Sequence, residues 1–205
     1  TTSVSAPGAL IRRPAAYSGK TTYEGELGIV IGKTASAVSP DEADDFIFGY
    51  TCVNDITAND ILGRDPTFAQ WARSKGIDGY GPFGPVIVSG VDPAKLVVRT
   101  ILNGEERQNY PIADMIFTAQ ELVSRISHDM TLLPGDLIAC GTSIGVGVMK
   151  QEVNTVTVAR QGVHGLRHHR ITRQTRVRHE QRPRHAGSLD GGPELANAAR
   201  AEADA

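Results

Sequence analysis

The sequence predicts an α+β domain that is rich in β-structure, with a mixed sheet rolled on itself. Short apolar or alternating runs typical of strands recur along the chain, three helical patterns lie between them, and no segment repeats at a fixed period. A chain of 205 residues, of which 40% are hydrophobic and 21% charged, is long and apolar enough for one domain with a sizeable core.

Strand patterns occur at five places. They are residues 23–32, 48–55, 84–90, both arms of a hairpin at 95–110, and part of 132–147. Each is a short run of apolar or alternating residues bounded by turn residues. The hairpin turn falls at Asn103-Gly104, the pair that best tolerates a positive φ at both central positions. A glycine-rich loop, from Gly141 to Gly147, follows the last strand pattern.

Helical patterns occur at three places. They are residues 39–48, 65–76 and 118–130. The first has Ser39 as its N-cap and acidic residues in its first turn. In the second, Asp65 is the cap and Gly76 ends the helix. The third begins with a capping box from Thr118 to Glu121.

Two acidic residues interrupt the first strand pattern. Glu24 and Glu26 are separated by one residue, so on a strand they share one face and lie roughly 7 Å apart along it. A solvated strand face is one interpretation. A metal site is the other, because a divalent cation turns the repulsion between two carboxylates into attraction. Asp55, at the end of the second strand pattern, is a third candidate ligand, although Asp at such a boundary more often caps a helix.

Four segments together resemble the fumarylacetoacetate hydrolase family: YEGELGIVIG, GYTCVNDITAND, KGIDGYGPFGP and MTLLPGDLIACGTSIGVG. They run in order between about Ser5 and Lys150. The resemblance implies the β-rich roll of that family and a divalent metal ion, Mg²⁺ or else Mn²⁺ or Ca²⁺, held by three carboxylates. By motif match these ligands are Glu24, Glu26 and Asp55.

The same resemblance assigns residues around the metal. Lys75 matches the family's lysine, whose charge can stabilise an enolate or a carboxylate. Taken alone, Lys75 is better explained as a cation at the end of a helix. Gly141 and Thr142 match a Gly-Thr-Pro loop whose hydroxyl and backbone amides contact the substrate, and Ser143 stands where the proline is usual.

This sequence departs from the family pattern in two ways. Many members carry an arginine four residues after the aspartate, where this chain has Asn59, so Arg64 is the candidate to replace that contact with a substrate carboxylate. Several members also use a His and a Glu from a segment upstream of the first strand. This sequence begins after that point, and we expect it to lack that acid–base pair. His128 is expected to face outward from its helix and not to act as a base.

The resemblance implies a metal-dependent enzyme that acts on a small 2-oxo or β-diketo acid. Isomerisation, decarboxylation or hydrolysis of a carbon–carbon bond would proceed through an enolate-like intermediate. Among the branches of the family, the 2-hydroxyhepta-2,4-diene-1,7-dioate isomerase type of aromatic-acid catabolism is the best match. The family also implies a homodimer. A non-catalytic metal-binding remnant of the same fold is the alternative from a different class.

Composition bears on location, partners and domain boundaries. Cys52 and Cys140 lie in apolar runs and predict buried free thiols in a reducing compartment, which favours the cytoplasm. No apolar run approaches the roughly 20 residues of a membrane span. A net charge of −2 gives no overall attraction for nucleic acid or membrane. The basic residues near the C-terminus could bind nucleic acid, but no aromatic residues lie between them, so we expect no nucleic-acid partner. Residues 1–166 are the predicted catalytic domain, and residues 167–205, rich in Arg and His without an apolar pattern, are the predicted disordered tail.

Overall fold

The structure, a computed structural model, describes residues 2–148, 153–160 and 175–180. Their strands are β1 (Val4–Ser5), β2 (Leu10–Arg12), β3 (Thr21–Tyr23), β4 (Gly25–Ile31), β5 (Ile47–Asn54), β6 (Thr57–Ala58), β7 (Gly81–Pro82), β8 (Leu96–Leu102), β9 (Glu105–Pro111), β10 (Leu137–Ala139), β11 (Gly147–Val148), β12 (Val153–Arg160) and β13 (Thr175–Glu180). Their α-helices are α1 (Asn59–Leu62), α2 (Trp71–Lys75) and α3 (Ala119–Asp129), and 3₁₀ turns occur at Ala43–Phe46, Pro93–Lys95 and Ile112–Asp114. None of these helices has the length and apolarity that crossing a membrane requires.

The strands pair in mixed sheets. One five-stranded sheet has the order β2-β13-β12-β8-β9, and two three-stranded sheets have the orders β10-β4-β5 and β11-β3-β6. The β1–β7 and β2–β13 pairs are parallel, whereas β4 pairs antiparallel with both of its neighbours. The prediction of a β-rich α+β domain with mixed sheets is confirmed for the described residues. That the sheet rolls up on itself stays a prediction.

The main core forms around the far part of β4. Leu27, Ile29 and Ile31 are at most 1% exposed. They pack in one cluster with Val98 of β8 and Val123 of α3. Strand β5 pairs with β4 along its whole length, β10 pairs with residues 28–30 on the other edge, and all seven residues of β4 are buried. This strand therefore gives a rigid frame to whatever lies at its start.

Two local predictions are confirmed. Asn103 and Gly104 both have positive φ, 51° and 88°, at the turn between β8 and β9. Thr118 and Glu121 form the capping box of α3, in which each side chain accepts a bond from the other residue's backbone N–H. Both features depend on interactions between residues close in sequence, which is why the sequence shows them.

The helix predicted at residues 39–48 is wrong. Only the 3₁₀ turn Ala43–Phe46 forms there. The Ser39 hydroxyl donates to the Glu42 carboxylate (2.6 Å), and the Glu42 side chain, at the cap position of the turn, accepts no hydrogen bond from the backbone of the turn. Ile47 already begins β5, whose pairing with β4 takes the chain out of helical conformation.

The helix predicted at residues 65–76 is too long. Its end at Gly76 is confirmed, but only Trp71–Lys75 is helical. The Asp65 carboxylate accepts bonds from the N–H and hydroxyl of Thr67 (2.9 and 2.7 Å) and so closes a turn in place of starting a helix. The strand predicted at 84–90 is also absent from the described strands, and this segment contributes an isolated bridge between Tyr50 and Val88.

Six residues of the predicted tail form a strand. Strand β13 (Thr175–Glu180) pairs antiparallel with β12 and parallel with β2. Over these six residues the structure differs from the predicted disorder, because backbone pairing with neighbouring strands does not require the apolar face that the segment lacks. The remainder of residues 167–205 lies outside the described residues, and the domain boundary at 166 stays a prediction.

Candidate metal centre

The three predicted ligands lie at one end of the β4–β5 pair. Glu24 is between β3 and β4, Glu26 is the second residue of β4, and Asp55 directly follows β5. Because the two strands are antiparallel, with Gly25 opposite Asn54, the end of β5 meets the start of β4. The Asp55 N–H donates to the Glu24 carbonyl (2.9 Å), and this bond closes the corner.

The carboxylates converge at this corner. One oxygen from each of Glu24, Glu26 and Asp55 lies within 4.8 Å of the others. Glu26 is 2% exposed. The side chains of Glu24 and Asp55 are 17% and 19% exposed. Three negative charges held together and largely out of water are unfavourable unless a cation compensates them.

Burial changes the acidity of two of these groups. It raises the pKa of Glu26 to about 8, with a further contribution from the charge of Asp55. It also raises the pKa of Asp55, although the hydrogen bond and charge of Lys75 offset part of that rise. Near neutral pH, Glu26 therefore keeps a proton that a bound cation would displace.

The Lys75 ammonium lies among the carboxylates, at the end of α2. Its Nζ donates to Glu24 (3.0 Å), to Asp55 and to the Thr57 hydroxyl (2.9 Å). Burial by itself lowers the pKa of Lys75, but the bonds and charges of Asp55 and Glu24 outweigh it, so that the pKa is raised. Lys75 is thus held in its charged form beside the predicted ligands.

The donor set fits a divalent cation. When ionised, Glu24, Glu26 and Asp55 carry three negative charges, of which the Lys75 ammonium compensates one. Two charges remain, and all the ligand atoms are oxygens. Hard ions such as Mg²⁺, Mn²⁺ and Ca²⁺ prefer such ligands. The residues at this corner therefore suit the kind of ion that the family resemblance implies.

The glycine-rich loop reaches the same corner. The Gly141 N–H donates to the Glu26 carboxylate (2.8 Å), and the Thr142 hydroxyl donates to the Gly25 carbonyl (2.9 Å). Gly141 has a φ of 92°, a conformation that glycine adopts without strain. The structure thus brings Gly141 and Thr142 next to the three carboxylates, as a substrate-binding role would require.

The other two predicted substrate contacts differ in position. Asn59, the first residue of α1, accepts a bond from the Thr22 hydroxyl (3.0 Å), which also lies 3.5 Å from the Glu24 carboxylate. Asn59 is therefore connected to the carboxylate cluster only through the side chain of Thr22 in the described structure. Arg64 is exposed in the turn after α1, and within the described part of the chain it makes no hydrogen bond or ion pair with the carboxylates. Substrate binding by both residues stays a prediction.

His128 and the cysteines do not belong to the cluster. His128 is exposed on α3 and its Nδ1 lies 2.8 Å from the Ser124 carbonyl of its own helix, which confirms that it faces outward. Cys52 and Cys140 are free thiols, as expected, but only Cys52 is buried as predicted, whereas Cys140 is partly exposed. Burial raises the pKa of Cys140 to about 12, so this thiol is unreactive at neutral pH.

Three side chains at the corner were not predicted from the sequence. Thr57 donates to Glu24 (2.9 Å). Gln108 and Tyr110, both on β9, bond to the N–H and the carbonyl of Gly25. One signal could have pointed to the last two. In the polar run EERQNYP, the alternation of a strand places them on one face, and the structure buries that face.

The sequence matches the family model described as fumarylacetoacetate (FAA) hydrolase C-terminal over residues 1–196. The chain belongs to the fumarylacetoacetate hydrolase family. The resemblance inferred from the four sequence segments is thereby confirmed.

Several members of the family are similar to this chain. Oxaloacetate tautomerase YisK of Bacillus subtilis is 43% identical over 147 residues, which are 70% of this chain and 48% of that protein. The 4-hydroxyphenylacetate degradation bifunctional isomerase/decarboxylase of Salmonella dublin is 46% identical over 127 residues, 60% of this chain and 29% of that protein. The crystal structure of 2-hydroxyhepta-2,4-diene-1,7-dioate isomerase from Mycobacterium marinum has a TM-score of 0.75 and 39% identity, over 87% of this chain and 65% of that one. This chain spans about half to three fifths of the length of several curated relatives that it matches.

Proposed function

We propose that this protein is a divalent-metal-dependent enzyme that acts on a small 2-oxo or β-diketo acid through an enolate-like intermediate, in aromatic-acid catabolism. One observation carries the proposal. Glu24, Glu26 and Asp55 converge within 4.8 Å of one another, with the Lys75 ammonium 3.0 Å from Glu24. The three carboxylates carry more charge than the single ammonium that pairs with Glu24 and Asp55, and negative charge in excess is unfavourable out of water without a further cation.

The metal would be held by Glu24, Glu26 and Asp55. Mg²⁺ is our first choice, with Mn²⁺ and Ca²⁺ as the other ions that prefer oxygen ligands. When bound, such an ion supplies a Lewis acid that polarises a carbonyl oxygen. The protein's own contribution is to hold the three carboxylates at one corner of rigid paired strands, with Glu26 almost completely shielded from water.

Lys75 would supply a fixed positive charge. Because its pKa is raised, its Nζ keeps its proton at neutral pH and does not act as a general base. A charge fixed in a partly buried site stabilises negative charge that grows on a substrate oxygen more effectively than water does. We therefore propose that Lys75 stabilises the enolate and that it stays protonated throughout.

The loop from Gly141 to Ser143 would bind the substrate's carboxylate. Within the described part of the chain, the backbone N–H groups of Thr142 and Ser143 have no hydrogen-bond partner. Unpaired N–H groups in a loop with a positive-φ glycine form a suitable site for an anion. Asn59 and Arg64 are the proposed additional contacts, Asn59 through its position beside Thr22.

Among the family's reactions, we propose isomerisation or decarboxylation ahead of carbon–carbon bond hydrolysis. The names of three similar proteins support this choice: a tautomerase, an isomerase/decarboxylase and an isomerase. These reactions need no activated water molecule, and each develops negative charge next to a carbonyl group. A cytoplasmic location and a homodimer are part of the proposal and rest on the composition and on the family resemblance.

A metal-binding remnant without activity is the second candidate. It is favoured by the position of His128, which is exposed on α3 and bonds to its own helix, so that it cannot serve as a base at the carboxylate corner. The two candidates share the metal site and differ only in turnover.

An assay of oxaloacetate tautomerisation and decarboxylation, with Mg²⁺, with Mn²⁺ and with a chelator, tests the proposal. We expect turnover that requires the metal and that falls at least about a hundredfold in Glu26→Gln. Glu105→Gln makes the same change at an exposed position of the β8–β9 hairpin and should leave turnover unchanged. Metal binding without turnover of any 2-oxo acid would favour the remnant, and absence of metal binding would contradict both candidates.

A further inference from the structure

Gln108 is buried in a strand whose neighbouring residues are exposed. It is 2% exposed, although glutamine is usually a surface residue. The register of β8 and β9 shifts between Thr100 and Ile101, and this irregularity places Gln108 opposite Thr100. Such irregularities often redirect a side chain next to a functional site.

The Gln108 amide uses all of its hydrogen-bonding groups. Its Oε1 accepts from the Gly25 N–H (3.0 Å) and from the Thr100 hydroxyl (2.7 Å). Its Nε2 donates to the Thr142 hydroxyl (2.8 Å) and to the Ser143 carbonyl (3.0 Å). The orientation of the amide is fixed by these partners, because the Gly25 N–H can only donate and the Ser143 carbonyl can only accept.

Gly25, which lies between two of the proposed ligands, is held by side chains on both of its backbone groups. Its N–H donates to Gln108, and its carbonyl accepts from the hydroxyls of Tyr110 (2.7 Å) and Thr142 (2.9 Å). The backbone that joins Glu24 to Glu26 is therefore fixed by β9 and by the loop.

The loop also contacts β9 directly. A Cβ atom at Gly145 would lie 1.9 Å from the Arg107 carbonyl oxygen, so only glycine permits this approach. Gln108 follows Arg107, and its amide therefore lies between the loop on one side and the ligand strand on the other. It contacts both and, in the described structure, none of the three carboxylates.

We infer that Gln108 is a positioning residue, which fixes residues 141–143 relative to the backbone between Glu24 and Glu26. It thereby sets the distance between the loop that would bind the substrate and the carboxylates that would bind the metal. This inference rests on the proposed function, because it takes the loop to be the substrate-binding element. A side chain that acts in this way affects binding of the substrate more than binding of the metal.

Calorimetry with two probes tests the inference on the full chain: Mn²⁺ alone, then oxalate added to the Mn²⁺-loaded protein. Gln108→Met removes all four hydrogen bonds and approximately keeps the volume. We expect its Mn²⁺ affinity to stay within about threefold of the parent and its oxalate affinity to fall at least about tenfold. The double variant Gln108→Met/Thr142→Val should lose little more oxalate affinity than the worse single variant. Both substitutions break the same hydrogen-bonded contact between Gln108 and the loop.

Ser127→Ala is the matched control. It removes a buried hydroxyl that bonds to the Val38 N–H (3.0 Å), and it should lower the melting temperature without changing either affinity. If Gln108→Met does not fold, Gln108→Leu takes its place, because it likewise removes the acceptor for Gly25 and the donors to the loop without adding a charge.

The possible outcomes distinguish failure of the proposed function from failure of the positioning role of Gln108. A parent protein that binds neither Mn²⁺ nor oxalate contradicts the proposed function. A parent that binds both, with a Gln108 variant that binds oxalate equally well or with losses that add in the double variant, overturns the positioning role. In that case Gln108 would be a structural residue like Ser127.

Discussion

The two halves of strand β4 are both buried, yet they consist of opposite chemistry. The far half places Leu27, Ile29 and Ile31 in the main core, where burial of apolar surface stabilises the fold. The first half places Glu26 in an equally buried position, where burial raises its pKa to about 8. One strand therefore combines a segment that favours folding with a segment that opposes it.

This difference shows how the fold supports a site that is unfavourable by itself. The end of β4 is held on both edges by β5 and β10, so the strand does not need its first residues for stability. The carboxylates at its start can then be placed for binding a cation at some cost in stability, which is usual at functional sites. Substitutions in the two halves should accordingly have different and partly opposite effects.

The largest effect is expected in the apolar half. Ile29→Ala should lower the free energy of unfolding by about 2–5 kcal/mol, because Ile29 is completely buried and its truncation leaves a cavity. Ile116→Ala is the control at an exposed position and should change the stability by less than about 0.5 kcal/mol. Urea denaturation measures both. An equally small effect in Ile29→Ala would show that β4 does not carry the core.

At the charged half, Lys75→Met should lower kcat by roughly a hundredfold, the scale for losing one electrostatic group of this kind. The affinity for Mn²⁺ should not fall, because the ammonium opposes the ion's charge among the carboxylates. Steady-state kinetics and calorimetry separate the two quantities. Lys95→Met, at an exposed lysine that pairs with Asp92, should change neither. Near-parent turnover of Lys75→Met would reduce Lys75 to a structural counter-ion.

A smaller effect of opposite sign is expected at Glu26. Without metal at neutral pH, Glu26→Gln should raise the free energy of unfolding by about 1–3 kcal/mol, because it removes a carboxyl group whose ionisation is disfavoured by burial. The amide oxygen can still accept the bond from the Gly141 N–H. Urea denaturation of chelator-treated parent and variant measures this difference in the free energy of unfolding. Destabilisation by this substitution would mean that the carboxylate is well compensated without a cation.

The raised pKa of Glu26 predicts that the affinity for the metal depends on pH. The folded pKa of Glu26, about 8, is above its unfolded value, so its contribution favours folding at low pH and is lost as the pH rises through about 8. A cation must displace the proton, and the affinity for Mn²⁺ should therefore rise up to about tenfold per pH unit below pH 8 and level off above it. Calorimetry in buffers with different ionisation enthalpies should also show release of up to one proton. An affinity that is constant below pH 8 would contradict the raised pKa.

The sequence predicts those features that depend on neighbouring residues or on a specific motif. The capping box at Thr118 and the turn at Asn103-Gly104 need only a few consecutive residues, and both are confirmed. The carboxylate corner was found through the spacing of Glu24 and Glu26 and through the family's segments. The structure brings Asp55 to the other two carboxylates, as that hypothesis requires.

Other features depend on which partner a polar side chain takes in the folded chain and could not be predicted. Gln108 bonds to Gly25 from 83 residues away, and nothing in its local sequence indicates that partner. The helix predicted from Asp65 is shortened because the Asp65 side chain bonds to Thr67. In both cases a polar side chain had a choice of partners, and only the folded arrangement decides between them.

The most direct test of the metal centre is the melting temperature with and without Mg²⁺ or Mn²⁺. An ion at about 100 times its dissociation constant adds about 2.7 kcal/mol to the stability of the protein that binds it. The melting temperature of the parent should rise clearly, that of Asp41→Ala, which lacks an exposed carboxylate, should rise by the same amount, and that of Asp55→Ala should not rise. No rise in the parent, or an undiminished rise in Asp55→Ala, would contradict the assignment of Glu24, Glu26 and Asp55 as the metal ligands.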